Sequence, residues 1–174
     1  INTTLVGFQN TPGGNLEGYE ISYQQPFTFL PGFFSNFGAI LNYTHVESDI
    51  VYFVNINPPS TVTLPLVNLS PETWNATLYY EDENLSARVS AAHRAGYLTG
   101  PFAGINGNDS RGKNETLNVD MAVSYSVNDR LTLTFEGINL TDQADDRWLN
   151  SELNFSENYE HTGRQYYMGL RYTY

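Results

Sequence analysis

Seven stretches of this chain alternate polar and apolar side chains with a period of two. In the clearest one, residues 117–127, every odd-numbered residue is apolar and every even-numbered residue is small or polar. Successive side chains of a β-strand point to opposite faces, so the pattern predicts strands with one apolar and one polar face. A helical period is not evident in these stretches. The sequence therefore predicts an all-β chain.

The connections between the predicted strands differ greatly in length. Tight turns at 82–84 and 128–130 alternate with long polar connections at 47–73, 95–116 and 139–163. Outer-membrane barrels show this asymmetry, with short periplasmic turns and long extracellular loops. The predicted strands span 18–25, 33–46, 74–81, 85–94, 117–127, 131–138 and 164–174, with an eighth predicted at 3–9.

The alternation assigns each strand residue to a face. Strand lengths of about 9 to 11 residues and aromatic strand ends favour an apolar face turned toward lipid. A soluble β-sandwich would give the same alternation with that face as its core, and this alternative stays open. The predicted lipid-facing residues are Phe37, Ala39, Leu41, Tyr43, Trp74, Ala76, Leu78, Tyr80, Leu85, Ala87, Val89, Ala91, Leu131, Leu133, Phe135, Tyr166, Met168, Leu170, Tyr172 and Tyr174. The predicted wet face carries Asn36, Asn42, Thr44, Asn75, Thr77, Ser86, Arg88, Ser90, Arg94, Asn118, Asp120, Ser124, Thr132, Thr134, Glu136, Gln165 and Arg171.

Composition narrows the classes of function. Tyr (13) and Phe (10) dominate the aromatic residues, as in the interfacial girdles of barrels. No apolar run approaches the roughly 18 residues that a membrane helix needs, so a membrane location would require a barrel. The formal net charge of −11 disfavours nucleic acid as a partner. Cysteine is absent, so disulfide and thiolate chemistry play no part.

The sequence contains no residues at the spacing that a metal site or a known nucleophile motif requires. His45, His93 and His161 are separated by tens of residues, without a partner at metal-ligand spacing. No Gly-x-Ser-x-Gly elbow marks a nucleophile, which disfavours a barrel enzyme of the outer-membrane lipase type. We expect no catalytic residues, no metal and no cofactor, and we expect that the chain is not an enzyme.

Several segments resemble the C-terminal barrel region of TonB-dependent outer-membrane receptors. They are residues 15–27, 30–44, 74–81, 131–142 and 163–174, and the resemblance covers nearly the whole chain. The strongest pieces are Phe-Glu-Gly-Ile-Asn-Leu-Thr-Asp at 135–142 and the aromatic terminal strand. Within the superfamily, the pattern is most similar to the branch found in xanthomonads and caulobacters, many members of which are associated with oligosaccharide import.

The resemblance implies an antiparallel transmembrane β-barrel segment, seven or eight strands of a larger barrel of 22. Such receptors carry an N-terminal plug domain and a TonB-binding segment, and neither is found in residues 1–174. The chain opens at Ile1 without a signal-peptide pattern, as a mature chain or a piece of one would. We therefore expect residues 1–174 to be the C-terminal portion of a receptor barrel or to complete a barrel with other chains. An independent eight-stranded barrel stays open.

The function implied by the resemblance is TonB-powered import of a scarce nutrient, an oligosaccharide or an iron-siderophore, across the bacterial outer membrane. The implied partners are outer-membrane lipid, the remaining strands and plug, the TonB complex, a small-molecule ligand and the barrel assembly machinery. The resemblance implies that this machinery reads the terminal strand through Tyr166, Met168, Leu170, Tyr172 and Tyr174. The alternative is a structural or adhesive role as a stand-alone small outer-membrane barrel or a soluble β-sandwich.

Candidate ligand-binding residues lie within the long connection 139–163 or close to where predicted strands meet the connection 95–116. Aromatic rings stack on sugars or catechols, while charged and amide groups bond hydroxyls or carboxylates. Each candidate also has a structural interpretation, since such aromatic residues are often interfacial anchors and Arg94 could pair with an acid of the polar face. The candidates are Arg94, Tyr97, Asn118, Asp145, Arg147 and Trp148.

Overall fold

The structure, a computed structural model, describes residues 12–56, 59–101, 109–150 and 152–174. Across these residues the chain forms β-strands and one short 3-10 helix, Gly32–Asn36. No helix within the described residues is long and apolar enough to cross a membrane. The strands are β1 Gly13–Pro26, β2 Phe37–Ile56, β3 Pro59–Leu64, β4 Glu72–Glu81, β5 Leu85–Arg94, β6 Tyr97–Gly100, β7 Arg111–Lys113, β8 Thr116–Asn128, β9 Leu131–Ile138, β10 Asp145–Leu149, β11 Phe155–Glu160 and β12 Gln165–Tyr172.

The main sheet is an antiparallel meander in the order β1-β2-β4-β5-β8-β9-β12, and β3 pairs with the far end of β2. The seven strands of this order correspond to the seven predicted ones, which confirms the all-β, antiparallel prediction. Among the described residues the sheet does not close on itself, because β1 and β12 each pair on one side only. The predicted strand at 3–9 lies outside the described residues.

The strand register confirms the predicted separation of faces. One row crosses six strands through directly opposed residues, and every member is apolar: Phe37, Tyr80, Ala87, Val123, Phe135 and Met168. A row on the opposite face runs through Ser22, Asn42, Asn75, Ala92 and Asn118. Because side chains alternate strictly along each strand, a slip of one residue would exchange the two faces. The register is therefore fixed by the sequence pattern.

The apolar face of the main sheet has no cover within the described part of the chain. Tyr80 is its one buried hydrophobic side chain, at 9% exposure, while Met168 is 88% and Leu170 is 67% exposed. A soluble sandwich would bury this face against a second layer of strands. A large contiguous apolar surface in a folded chain marks contact with lipid or with other protein.

The prediction of strand at 33–36 was wrong, because these residues belong to the 3-10 helix. Pro31 and Gly32 (φ 57°) turn the chain, and the Phe37 N–H donates to the Phe34 carbonyl at the helix end. The turn places the Phe33 ring 4.9 Å from the Tyr80 ring, between centroids. The Asn36 amide accordingly does not sit in a strand row, and its Nδ2 donates to Tyr80 Oη at 3.3 Å.

The three long connections, predicted as polar loops, contain strands of their own. Strand β2 continues to Ile56 and pairs with β3, so the connection 47–73 begins as a hairpin. Strands β6 and β7 from 95–116 combine with β10 and β11 from 139–163 in a second sheet of order β11-β10-β7-β6. Several of these strands are only three to five residues long, too short for alternation to identify. The last strand also ends at Tyr172, earlier than predicted.

In each of the two tight turns of the main sheet, one side chain binds the backbone of the turn. Asp82 Oδ1 accepts from the N–H groups of Asn84 and Leu85, both at 2.8 Å. Asn128 Oδ1 accepts from the N–H groups two and three residues ahead in the same way. Asp and Asn favour turns because their short side chains can bond backbone groups in this manner. These residues explain why the strands reverse at 82–84 and 128–130.

Protonation of Asp82 is expected to weaken its turn. The hydroxyl of Tyr80 and the backbone N–H groups of Asn84 and Leu85 lower the pKa of this carboxyl. A carboxyl with a lowered native pKa contributes stability above its unfolded pKa, and this is lost as pH falls through the native pKa. Asp82→Ala should therefore lower the thermal midpoint at pH 7, with a deficit that shrinks below about pH 4. Glu83→Ala, in the same turn, is the charge-matched control, and an equal deficit in both variants would contradict the role of Asp82.

Candidate functional site

A cavity of about 510 Å³ lies where the end of the main sheet meets the four-stranded sheet. Strand β2 contributes one wall, the segment 65–71 a second, and β6, β7 and β10 the rest. The cavity is lined by Val46, Glu47, Ser48, Asp49, Pro65, Leu69, Pro71, Gly96, Tyr97, Leu98, Lys113, Asn114 and Trp148. It is therefore formed by all three long connections.

The segment 65–71 is held against β2 by side-chain bonds. Ser48 Oγ accepts from the Leu66 N–H at 2.9 Å. Tyr52 Oη donates to the Pro65 carbonyl at 3.2 Å and accepts from the Val67 N–H at 3.1 Å. Four consecutive residues of β2, 46–49, line the cavity, so both faces of the strand border it. The wall formed by this segment is thus anchored at three points.

Two aromatic side chains face the cavity, and each is fixed by a neighbour. Trp148 lies opposite Gly112 in the register of β10 and β7. A Cβ at Gly112 would lie 2.6 Å from Trp148 Cε2, so only glycine lets the indole occupy this position. The guanidinium Cζ of Arg94 lies 3.9 Å from the centroid of the Tyr97 ring, a cation–π contact. Arg94 Nη2 also donates to the Asn68 carbonyl at 3.1 Å.

Asp145 links Lys113 and Arg147. Its Oδ2 accepts from Lys113 Nζ, and its Oδ1 accepts from Arg147 Nε at 3.2 Å. The bond from Lys113 lowers the pKa of Asp145, and the bond to Asp145 raises the pKa of Arg147. The next carboxylate, that of Asp146, accepts from Asn114 Nδ2 at 2.7 Å. Strands β7 and β10 are therefore joined by side chains as well as by their backbone ladder.

The predicted ligand residues mostly converge on this cavity. Tyr97 and Trp148 line it, Arg94 and Asp145 each contact a lining residue, and Arg147 bonds Asp145. Arg94 contacts an aromatic ring and a carbonyl, which differs from the acid partner that the sequence also allowed. Asn118 does not join them, because it lies in a row of the polar face of β8, opposite Ala92.

Sequence reasoning missed the β2 wall and Lys113. Glu47, Ser48 and Asp49 were assigned to a loop, although five consecutive apolar residues rich in β-branched and aromatic side chains follow at 50–54. That apolar run was the available signal. Lys113 lies in a three-residue strand and has no sequence signal of its own. Its importance follows only from pairing with Asp145, 32 residues further along the chain.

Among the described residues, the terminal strand is paired along one edge only. Tyr166, Met168, Leu170 and Tyr172 alternate on the apolar face of β12, which pairs with β9. Tyr174 lies beyond the strand and is fully exposed. The strand is thus available for pairing along its second edge.

Within the described ranges, no group of three or more His, Cys, Asp or Glu side chains could hold a metal ion. The side chains around the cavity supply ring faces, hydrogen-bond donors and acceptors, and carboxylates, which are groups for recognising a ligand. Comparison with protein-family models, with curated proteins and with solved structures finds no match for this chain.

Proposed function

We propose that this chain forms part of the barrel wall and extracellular loops of a TonB-powered import receptor in the bacterial outer membrane. The observation that carries the proposal is the uncovered apolar face, in register across six strands. Lipid is the environment that makes such a face favourable, because each exposed apolar side chain would otherwise face water. The opposite, polar face would line the wet interior of the barrel.

Aromatic clusters at both ends of the apolar face support a membrane boundary at each end. At the end near the cavity, Trp74 stacks on His93 with centroids 5.4 Å apart, beside Tyr43 in the same row. At the other end, Phe33 and Phe37 surround Tyr80. Aromatic side chains favour membrane–water interfaces, where an apolar body and a polar edge are both accommodated. Strands β4 and β5, ten residues each, match the length that crosses a bilayer.

Within the described part of the chain, β1 and β12 each lack a partner on one side, which supports a barrel that is completed by other strands. In a bilayer, unpaired backbone groups along β1 and β12 would cost several kcal/mol each. Further strands of the same receptor, together with its plug, would satisfy these groups, and this corresponds to a C-terminal portion of a larger barrel. The assembly machinery would then act on the open edge of β12.

The import step would begin at the cavity. It lies at the end of the sheet that carries the long connections, which in outer-membrane barrels face outward. Ligand held there would be passed inward when TonB acts on the plug. The wet face of this chain would form one side of that path.

Fractionation of the native membranes tests the proposal. The native polypeptide should sediment with the outer membrane and require detergent for extraction, and its intact mass should be several times 19.6 kDa. A native chain of this size that needs detergent would instead be a small barrel. A water-soluble chain of this size would contradict the membrane assignment altogether.

A further inference from the structure

The cavity has an uneven distribution of charge. Its charged lining residues are Glu47, Asp49 and Lys113. Of these, Lys113 is the one cation in the lining, and its ammonium bonds Asp145 with only 21% of the side chain exposed. Glu47 is 71% exposed and contacts His45 Nε2 at 3.3 Å. A ligand in the cavity would therefore meet carboxylates together with a cation that is already neutralised.

The other nearby cations are also engaged. Arg147 bonds the second oxygen of Asp145, and Arg94 lies over the Tyr97 ring while donating to the Asn68 carbonyl. Asp145 thus bonds both cations, and its bond to Lys113 occupies the one that lines the cavity. Within the lining itself, an anionic ligand would meet two carboxylates and one cation that is already paired with Asp145, whereas an uncharged ligand would not be repelled.

We propose that Asp145 is a specificity-determining residue that reserves the cavity for uncharged, ring-bearing, polyhydroxylated ligands, such as neutral oligosaccharides, and excludes anionic chelates and acidic sugars. The rings of Tyr97 and Trp148 would stack on the faces of sugar rings, and Asn114 and the carboxylates would bond hydroxyl groups. The inference rests on the proposed function, because the ligands it compares are those that an import receptor would carry. The charge argument itself depends only on the geometry of the cavity.

The test uses the native polypeptide, purified in detergent, and calorimetric titration with defined probes. The neutral probes are hexasaccharides of glucose, mannose and xylose; the anionic probes are a galacturonate hexasaccharide and ferric citrate. The wild-type protein should bind at least one neutral probe and neither anionic probe. Asp145→Asn should raise the affinity for an anionic probe at least about tenfold, because the charge of Lys113 becomes available, and salt should weaken this gain.

Two further variants keep the interpretation specific. Asp145→Asn combined with Lys113→Gln should lose the gained affinity for anions. Asp142→Asn is the matched control, because Asp142 is a loop carboxylate that pairs instead with His161 and Arg164. It removes the same charge and should leave the selectivity unchanged. All variants should retain the extraction behaviour of the wild-type protein.

Three results would overturn the inference. They are tighter binding of an anionic probe than of every neutral probe by the wild-type protein, unchanged selectivity in Asp145→Asn, and failure of all neutral probes to bind. None of them would move the protein out of the outer-membrane fraction. Failure of this inference is therefore distinguishable from failure of the proposed function, which fractionation decides.

Discussion

Replacement of Val89 by arginine is expected to lower the free energy of unfolding in a bilayer by about 2–4 kcal/mol, the cost of a cation at the middle of the lipid face of a barrel. Val89 lies at the centre of β5, opposite Leu78 and Met121, and is 48% exposed. In water, an arginine at so exposed a position would cost little. The large effect is therefore specific to lipid contact.

Ser90→Arg is the matched control, one residue further along the same strand and on the opposite face. It removes the bond of 2.9 Å between Ser90 Oγ and Thr77 Oγ1 but places the guanidinium opposite Asp120. We expect a change within about 1 kcal/mol. Urea unfolding of the native polypeptide in lipid vesicles measures both variants. Equal effects of the two substitutions would contradict the assignment of faces.

Removal of the Trp148 indole is expected to produce the second large effect, on ligand affinity. Trp148→Ala should weaken binding of the neutral hexasaccharide by about 30-fold, since buried tryptophan contacts at binding sites commonly contribute about 2 kcal/mol or more. The side chain lies against Gly112 and faces the cavity together with Tyr97. Calorimetric titration of wild-type and variant proteins gives the ratio directly.

Two companion variants separate stacking from general damage. Gly112→Ala keeps the indole but displaces it, because the new Cβ would overlap the ring, so affinity should fall in the same direction. Trp74→Phe alters the other tryptophan, which stacks on His93 on the apolar face. It should change the affinity for the hexasaccharide by no more than about twofold, which is less than 1.4 kcal/mol. Loss of affinity in Trp74→Phe as large as in Trp148→Ala would contradict the location of the site.

Strands of the main sheet were predictable because one face must be apolar and the other polar over many residues. The apolar row from Phe37 to Met168 meets that requirement. The 3-10 helix Gly32–Asn36 was not predictable from composition, because aromatic residues such as Phe33 and Phe34 favour strands. A turn at Gly32 and packing on Tyr80 decide the conformation there.

The 135–142 motif shows how a resemblance can point to structure more than to ligand binding. Asn139 within it is buried at 8% exposure, with φ 55°. Its N–H donates to Asp120 Oδ1 at 2.8 Å, and its Oδ1 accepts from the Gln143 N–H at 2.7 Å. The motif therefore organises the base of the connection that carries Trp148. The cavity itself depends on pairings between distant segments, which local sequence patterns do not contain.

Spin labels along β8 measure lipid contact most directly. Because residues 1–174 contain no cysteine, single cysteines introduced at 118–125 are the only labelling sites in this part of the protein. In lipid vesicles, labels at Val119, Met121, Val123 and Tyr125 should be accessible to oxygen, which concentrates in lipid, and shielded from a water-soluble nickel chelate. Labels at Asn118, Asp120, Ala122 and Ser124 should show the reverse. Equal access of the chelate to both sets, or an odd-numbered set closed to both reagents as in a packed protein core, would contradict a lipid-facing barrel wall.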